Sequence, residues 1–180
     1  MSIRHFPHKQ GQWVTHVCLE IEIDESYLVV PEGFIPLFDS SKDQKLHVSL
    51  SPLFSLKYFQ VKAFKKSCEN FSKTINRQCF TFENGVFLDD SSNSSVFYAL
   101  NIRNCDEMTN IKNKFDKLVD SYNPTFLEKF DDEIMHISIA RSQGHFDSSK
   151  KAPQHRTILG ICSKLNCTIG GEKTSFFLSS

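Results

Sequence analysis

The chain has 180 residues, 39% of them hydrophobic, and its 21 lysines and arginines balance its 21 aspartates and glutamates. A neutral chain lacks the positive field that draws proteins to long nucleic acids or anionic membranes, although a protein that holds only a strand end needs few phosphate contacts. No apolar run is long enough for a membrane span, and the polar N-terminal segment lacks an apolar signal core, so we expect a soluble intracellular protein. The length predicts a single domain over residues 1–180, with one core or two small lobes that share it.

The first predicted element is a long strand at residues 13–23, where apolar and polar residues alternate. The alternation places His16 on the solvated face, where we interpret it as an ordinary surface histidine. A loop with several prolines and a glycine then leads to the first of two matched motifs. After that motif, apolar residues recur every three to five positions from Leu53 to Ile75, and Pro52 suits a first helical turn, which predicts an amphipathic helix.

Strands and a helix are also predicted in the second half. Residues 79–88 indicate either a bulged strand or a hairpin around Asn84-Gly85, and residues 96–102 indicate another strand. An apolar stripe from Met108 to Tyr122 predicts a second amphipathic helix, and a Gly-rich turn at 170–173 predicts a closing hairpin. One helix and one motif strand in each half predict an α+β fold with approximate internal two-fold symmetry and a cleft between the halves.

A short pattern occurs once in each half of the chain. Leu46 to Ser51 is Leu-His-Val-Ser-Leu-Ser, and Met135 to Ala140 is Met-His-Ile-Ser-Ile-Ala. Because side chains alternate between the two faces of a strand, the histidine and serine of each copy share one face and the aliphatic residues share the other. A single His-x-Ser is common on exposed strands, but two matched copies indicate a shared function.

The two motifs carry the residues that in-line cleavage of RNA requires. If His47 and His136 face one cleft, one imidazole can remove the proton from a ribose 2′-hydroxyl that attacks the adjacent phosphorus, and the other can protonate the departing 5′-oxygen. The hydroxyls of Ser49 and Ser138 can donate hydrogen bonds to the non-bridging oxygens. A Ser-His nucleophilic pair is the rival chemistry, but serine and histidine two positions apart point the same way, which suits a shared phosphate better. The sequence leaves open which histidine is the base.

Other residue types bear on cofactors and on RNA contacts. No carboxylate cluster accompanies the histidines, and the six cysteines lack paired C-x-x-C spacing, so we expect no metal and no other cofactor, with the cysteines reduced and mostly buried. The segment from Arg141 to Thr157 holds four cations and one acid. It is either a set of phosphate contacts, Arg141 among them, or a solvated loop.

The sequence also resembles a known family. Its two His-x-Ser strands are similar to the signature of the two-histidine phosphoesterase superfamily. The segment Phe6-Pro7-His8, the stretch from Gly11 to Val17, both motif strands and the closing Ser175 to Leu178 together resemble the U6 small nuclear RNA 3′-end phosphodiesterase family. The resemblance covers nearly the whole chain.

This resemblance implies a two-lobed two-histidine phosphoesterase fold, with antiparallel sheets that line a central cleft and helices outside. It implies a nuclear 3′-to-5′ exoribonuclease that trims the oligouridine 3′ end of U6 small nuclear RNA and leaves a 2′,3′-cyclic phosphate or a 3′-phosphate. His47 and His136 would be its general acid and base, and Ser49 and Ser138 would hold the phosphate. Phe130 would stack on a nucleobase. We expect a monomer whose partner is the RNA 3′ end.

Three alternatives remain open at the level of the sequence. Another branch of the superfamily would open 2′,3′-cyclic phosphates or cleave 2′-5′ linkages. A non-catalytic RNA-binding module would use the same surface without turnover. Phe130 could simply pack in the core of a chain that has 17 phenylalanines.

Overall fold

The computed structural model describes residues 11–39, 45–90, 95–103, 106–127, 135–143, 152–153 and 157–180. Within these ranges the strands are β1 (Gln12–Ile23), β2 (Ile35–Pro36), β3 (Leu46–Ser49), β4 (Phe54–Lys57), β5 (Gln78–Asp90), β6 (Ser95–Arg103), β7 (Thr125–Phe126), β8 (His136–Gln143), β9 (Ile158–Ile169) and β10 (Glu172–Phe177). The helices are a 3-10 turn (Glu25–Tyr27), α1 (Tyr58–Ser72) and α2 (Asp106–Asp120). Both α-helices have 15 residues, and no helix in the described ranges qualifies as a membrane span.

The strands join in one antiparallel sheet. Its order is β2-β8-β6-β5-β9-β1-β4-β7, with β3 paired to β1 beside β4, and β10 paired to β9 beside β5. The sheet curls, because β3 and β8 are separated by four strands along the path and yet lie against each other. This closure brings the two motif strands together.

Alternation along β1 sorts its side chains between a core face and an open face. Val17, Leu19 and Ile21 are buried in the core, while His16 is only half-buried on the other face. Helix α1 packs against the sheet and buries Phe64, Cys68 and Phe71. Burial of each large apolar side chain contributes about 1.5–3 kcal/mol, so this packing stabilises the core face of the sheet.

The start of the first helix differs from the sequence-based prediction. Residues 54–57 form β4, and α1 begins only at Tyr58. Leu53 and Leu56 were assigned to the helix by their spacing, but Leu56 is buried in β4 together with Phe54, and this strand pairs with the first residues of β1. The Gln60 side chain accepts a hydrogen bond from the backbone N–H of Lys57 at 2.9 Å and so marks the true helix start.

Two turn signals had different outcomes. Strand β5 runs through Asn84, where the register with β6 shifts and the backbone adopts a φ of 52°, so the bulged-strand interpretation is confirmed and the hairpin is wrong. The closing hairpin is confirmed, and its turn is the pair Gly170-Gly171 with φ values of 57° and 89°. Positive φ at both central residues is the geometry that glycine permits at least cost.

Candidate active site

The first motif lies on β3 with its polar residues turned away from the core. Leu46 and Val48 are buried, whereas His47 is exposed and Ser49 is half-buried. Strand β3 pairs with β1 so that His47 lies opposite Glu20. The predicted alternation of this motif is thus present, and it places the imidazole and the hydroxyl on the open face of the sheet.

A third histidine adjoins this motif. Nε2 of His16 lies 3.0 Å from Oγ of Ser49, and the His16 and His47 rings meet edge-on with centroids 5.8 Å apart. The interpretation of His16 as an ordinary surface histidine is therefore wrong. The two partners of the hydrogen bond are 33 positions apart, so only the pairing of β1 with β3 reveals it. The one sequence signal was that His16 occupies the polar face of a strand that could lie beside the motif.

The surroundings of His47 favour its neutral form. Desolvation by the packed protein is the largest effect and lowers the pKa of the imidazole, and the charges of Lys173 and His136 lower it further. A hydrogen bond between the ring and the backbone of Lys45 raises the pKa but does not outweigh them. The residue nevertheless remains exposed to solvent. A neutral imidazole that solvent or substrate can reach can accept a proton.

The second motif lies on β8, opposite β6. His136 is paired with Asn101 and Ser138 with Ala99, while Ile137 is buried on the core side. The register then shifts by one residue at Ile139. A bulge of this kind reverses the alternation, so the residues beyond it face the opposite way from a regular strand.

This bulge determines where Arg141 points. In a regular strand an odd position after His136 would face the core, but Arg141 pairs with Phe97 and is only half-buried. Its guanidinium lies 5.8 Å from the centroid of the Phe97 ring and donates a hydrogen bond to Oγ of Ser95 at 2.7 Å. Stacking and hydrogen bonding fix a planar cation on the same face as His136 and Ser138.

The two motifs lie close together in the fold. Strand β3 lies against β8, and the charge of His136 acts on the pKa of His47. The two imidazoles are therefore near each other, although they come from separate strands. The catalytic roles of these residues remain predictions.

A buried carboxylate lies beside the first motif. Glu20 accepts a hydrogen bond from Nδ2 of Asn166 at 2.9 Å, and its oxygens lie 3.4 Å from Nζ of Lys164 and 3.6 Å from Nζ of Lys173. Burial, the largest single effect, opposes ionisation, but the hydrogen bond and the two cations outweigh it and lower the pKa of Glu20. Sequence analysis missed this cluster, because its members come from three strands.

Several segments that the sequence analysis singled out lie outside the described residues. They are Phe6-Pro7-His8, which carries part of the family resemblance, and the predicted RNA contacts Phe130 and most of the cationic loop after Arg141, including Lys150, Lys151 and Arg156. Among the residues that the structure describes, no three His, Cys, Asp or Glu side chains form a group that could hold a metal ion. Cys18, Cys68, Cys162 and Cys167 are free and buried, and Cys79 is free and exposed.

The sequence matches one family model and several known proteins. The model is HVSL, described as an uncharacterised conserved protein, and it matches residues 1–176. U6 snRNA phosphodiesterase 1 of Bos taurus is 22% identical over 168 residues, which make up 88% of this chain. The chain spans only 62% of the length of that relative.

Solved structures share the architecture. Usb1 of Kluyveromyces marxianus superposes with a TM-score of 0.70 at 15% identity, covering 92% of this chain and 98% of Usb1, and Usb1 with uridine monophosphate gives 0.68 at 14% with the same coverage. LigT of E. coli complexed with 3′-AMP gives 0.55 at 12% identity, covering 93% of this chain and 96% of LigT. These matches confirm the predicted α+β phosphoesterase fold.

Proposed function

The chain belongs to the HVSL family, and from that membership and the site we propose that it is a phosphodiesterase that trims the uridine-rich 3′ end of U6 small nuclear RNA. The observation that carries the proposal is the meeting of two His-x-Ser strands, β3 and β8, at one site. Support for the substrate comes from the name of the Bos taurus relative and from the binding of uridine monophosphate to Usb1.

The proposed reaction uses one histidine as base and the other as acid. One imidazole removes the proton from the 2′-hydroxyl of the penultimate ribose, whose oxygen attacks the adjacent phosphorus. The other imidazole gives its proton to the departing 5′-oxygen of the last nucleotide, which leaves with an intact ribose. The shortened RNA then ends in a 2′,3′-cyclic phosphate, which water can open to a 3′-phosphate. Neither step requires a metal ion or another cofactor.

Three polar groups would stabilise the phosphate as charge accumulates. Ser49 and Ser138 donate hydrogen bonds to its non-bridging oxygens, and Arg141 lies on the same face with its guanidinium already oriented. Such groups accelerate the reaction because they need no rearrangement when the negative charge forms. Phe130 completes the proposal as a platform for the terminal base.

His16 is proposed to position Ser49. The Ser49 hydroxyl can donate to the phosphate only if its own proton is not already given to His16. When Nε2 of His16 carries hydrogen, it donates to Ser49 Oγ at 3.0 Å and leaves the hydroxyl proton free for the phosphate. His16 therefore acts through Ser49.

The proposal extends to the cell and the assembly. We propose that the enzyme works in the nucleus, where U6 RNA is processed, as a monomeric single domain whose two lobes form the cleft. Its partner is the RNA 3′ end.

The decisive experiment is incubation with oligouridylate followed by mass analysis of the 3′ ends. We expect successive loss of single uridines and a cyclic or open phosphate at the new end. A 2′-deoxy sugar at the penultimate position removes the nucleophile, so that substrate should bind and resist cleavage, whereas a deoxy sugar at the last position should leave the first cleavage intact.

Two outcomes would contradict the proposal. Cleavage of the penultimate-deoxy substrate at the all-ribose rate would show that water attacks phosphorus directly. Turnover confined to 2′,3′-cyclic ends or 2′-5′ linkages would assign the chain to another branch of the superfamily, and binding without any turnover would assign it to the non-catalytic class.

A further inference from the structure

A row of side chains crosses the open face of the sheet from its edge to the first motif. Phe177 on β10 lies opposite Lys164 on β9, Lys164 lies opposite Glu20 on β1, and Glu20 lies opposite His47 on β3. Residues that pair across antiparallel strands project from the same face. The four residues, which we call the Phe177 row, therefore lie on the face that carries His47 and Ser49.

The outer end of the row is an exposed aromatic ring with a cation beside it. Phe177 is 74% exposed, although a phenyl ring in water is unfavourable, and Nζ of Lys164 lies 5.3 Å from its centroid. Its neighbour Phe176 points to the other face and packs against the core. An exposed ring beside a cation is the combination by which single-stranded nucleic acid is bound, with the base on the ring and the phosphate on the cation.

The middle of the row supplies positive charge at the surface. The Glu20 side chain is only 6% exposed, whereas the side chains of Lys164 and Lys173, both ion-paired to it, are 30% and 48% exposed. The buried carboxylate thus forms ion pairs with two more exposed ammonium groups, and its single negative charge neutralises one of them. Within this group of one carboxylate and two ammonium groups, one positive charge remains, which a phosphate could approach.

We propose that the Phe177 row binds the body of the RNA, upstream of the scissile phosphate, with one base stacked on Phe177 and the neighbouring phosphates on Lys164 and Lys173. The inference rests on the proposed function. Three strand spacings separate His47 from Phe177, or about 14 Å. A stacked strand rises about 3.4 Å per nucleotide, so the base on Phe177 lies no more than about four nucleotides from the reacting phosphate.

The distance also decides which part of the RNA lies there. The departing nucleotide is attached directly to the scissile phosphate and remains near both histidines, so it cannot extend to Phe177. The RNA body can extend to Phe177, because among the described strands β10 pairs with β9 alone and forms an edge of the sheet there. An RNA strand that follows the row therefore meets no described β-strand beyond β10.

The test compares substrate lengths. A uridine dinucleotide has only one nucleotide upstream of the scissile phosphate and cannot reach Phe177. An octauridylate has seven upstream nucleotides and can reach it. Phe177→Ala should raise KM for the octamer by about fivefold to 140-fold, the equivalent of one base stack, and leave the dinucleotide unchanged. Phe177→Trp should restore the octamer KM. Lys164→Gln should reduce the dependence of octamer affinity on salt, with the slope of log K against log salt falling by about 0.7.

Phe59→Ala is the matched control. Phe59 is 76% exposed, and Nζ of Lys57 lies 5.9 Å from its ring centroid, but it belongs to α1, which packs on the core side of the sheet. It should affect neither substrate. Equal effects of Phe177→Ala on both substrates, or none on the octamer, would overturn the inference.

Affinity separates this inference from the proposed function. Octauridylate with a 2′-deoxy penultimate sugar is bound without cleavage, so fluorescence anisotropy measures the contribution of Phe177 even if no variant turns over. Absence of cleavage by the wild type would contradict the proposed function alone. An unchanged affinity of Phe177→Ala would contradict the Phe177 row alone.

Discussion

The two motif strands share a pattern but differ in what supports it. On β3 the serine accepts or donates a hydrogen bond with a second histidine, His16, and the charge of Lys173 from the closing hairpin acts on His47. On β8 a bulge turns an arginine onto the polar face, where Ser95 and a phenyl ring orient it. The same four-residue pattern is therefore completed by different residues in each half.

Under the proposed function, this difference would let the two halves of the site take different roles. Two identical imidazole environments would titrate alike, whereas a base and an acid must differ in protonation at the same pH. The first motif has a histidine with a lowered pKa, and the second has the fixed positive charge of Arg141. The repeated motif places a histidine and a serine on each strand. The neighbouring residues make the electrostatic surroundings of the two histidines different.

The largest effect should come from the histidines themselves. His47→Ala and His136→Ala should each lower kcat/KM on oligouridylate by about 10²–10⁴-fold, because each removes one proton transfer. The double variant should be scarcely worse than either single variant, since both groups act in one step. Losses that multiply would contradict a shared site, and unchanged melting curves would exclude unfolding as the cause.

Substitution of Arg141 tests the contribution of the second motif strand, β8, separately. Arg141→Ala should lower kcat/KM by about tenfold to 100-fold, the range for hydrogen bonds to a charged group. Arg141→Lys should retain only part of the wild-type kcat/KM, because lysine keeps the positive charge but lacks the planar guanidinium with its paired donors. Arg103→Ala is the control, because Arg103 is an exposed cation near the end of the adjacent β6, 3.5 Å from Glu83. Equal losses in both variants would assign the effect to general charge and not to the oriented guanidinium.

Substitution of His16 tests the contribution of the first motif strand, β3. His16→Ala should lower kcat by about twofold to tenfold, the net worth of one hydrogen bond, and His16→Gln should restore part of it by donating to Ser49. In a Ser49→Ala background the same change should have no further effect, since His16 acts through that hydroxyl. Additive losses in this double-mutant cycle would show that His16 acts independently of Ser49.

The sequence predicted the fold because the fold depends on local patterns, and the same patterns suggested His47 and His136 as the catalytic pair, which stays a prediction. Alternation along β1, apolar spacing in α2 and the repeated His-x-Ser are visible in short windows. The rest depends on pairing between distant segments. Strand β4 was missed because Leu56 fits the helical spacing from Leu53 as well as the strand alternation from Phe54, and the pairing with β1 selects the strand.

The site was incomplete for the same reason. His16 on β1 is hydrogen-bonded to Ser49 on β3, and Glu20 forms ion pairs with lysines from β9 and β10. Arg141 faces the site only because the register shifts at Ile139. A one-residue shift carries no signal in composition. The prediction for Phe130 stays a prediction, because that residue lies outside the described ranges.

The smallest expected effect concerns stability against pH. The pKa of His47 is lower in the folded protein than the usual value of about 6.5 in an unfolded chain, with desolvation as the largest cause. As the pH falls below about 6.5, the unfolded chain therefore binds the proton more readily, and the free energy of unfolding should decrease until the folded imidazole is also protonated. His47→Gln removes this proton uptake, so its denaturant midpoint should depend less on pH between 7 and 5. Ser49→Ala, on the same strand and without a titrating group, should keep the wild-type slope. If His47→Gln and the wild type have the same slope, the imidazole is not held neutral by the fold, and the asymmetry between the two halves must arise from Arg141 alone.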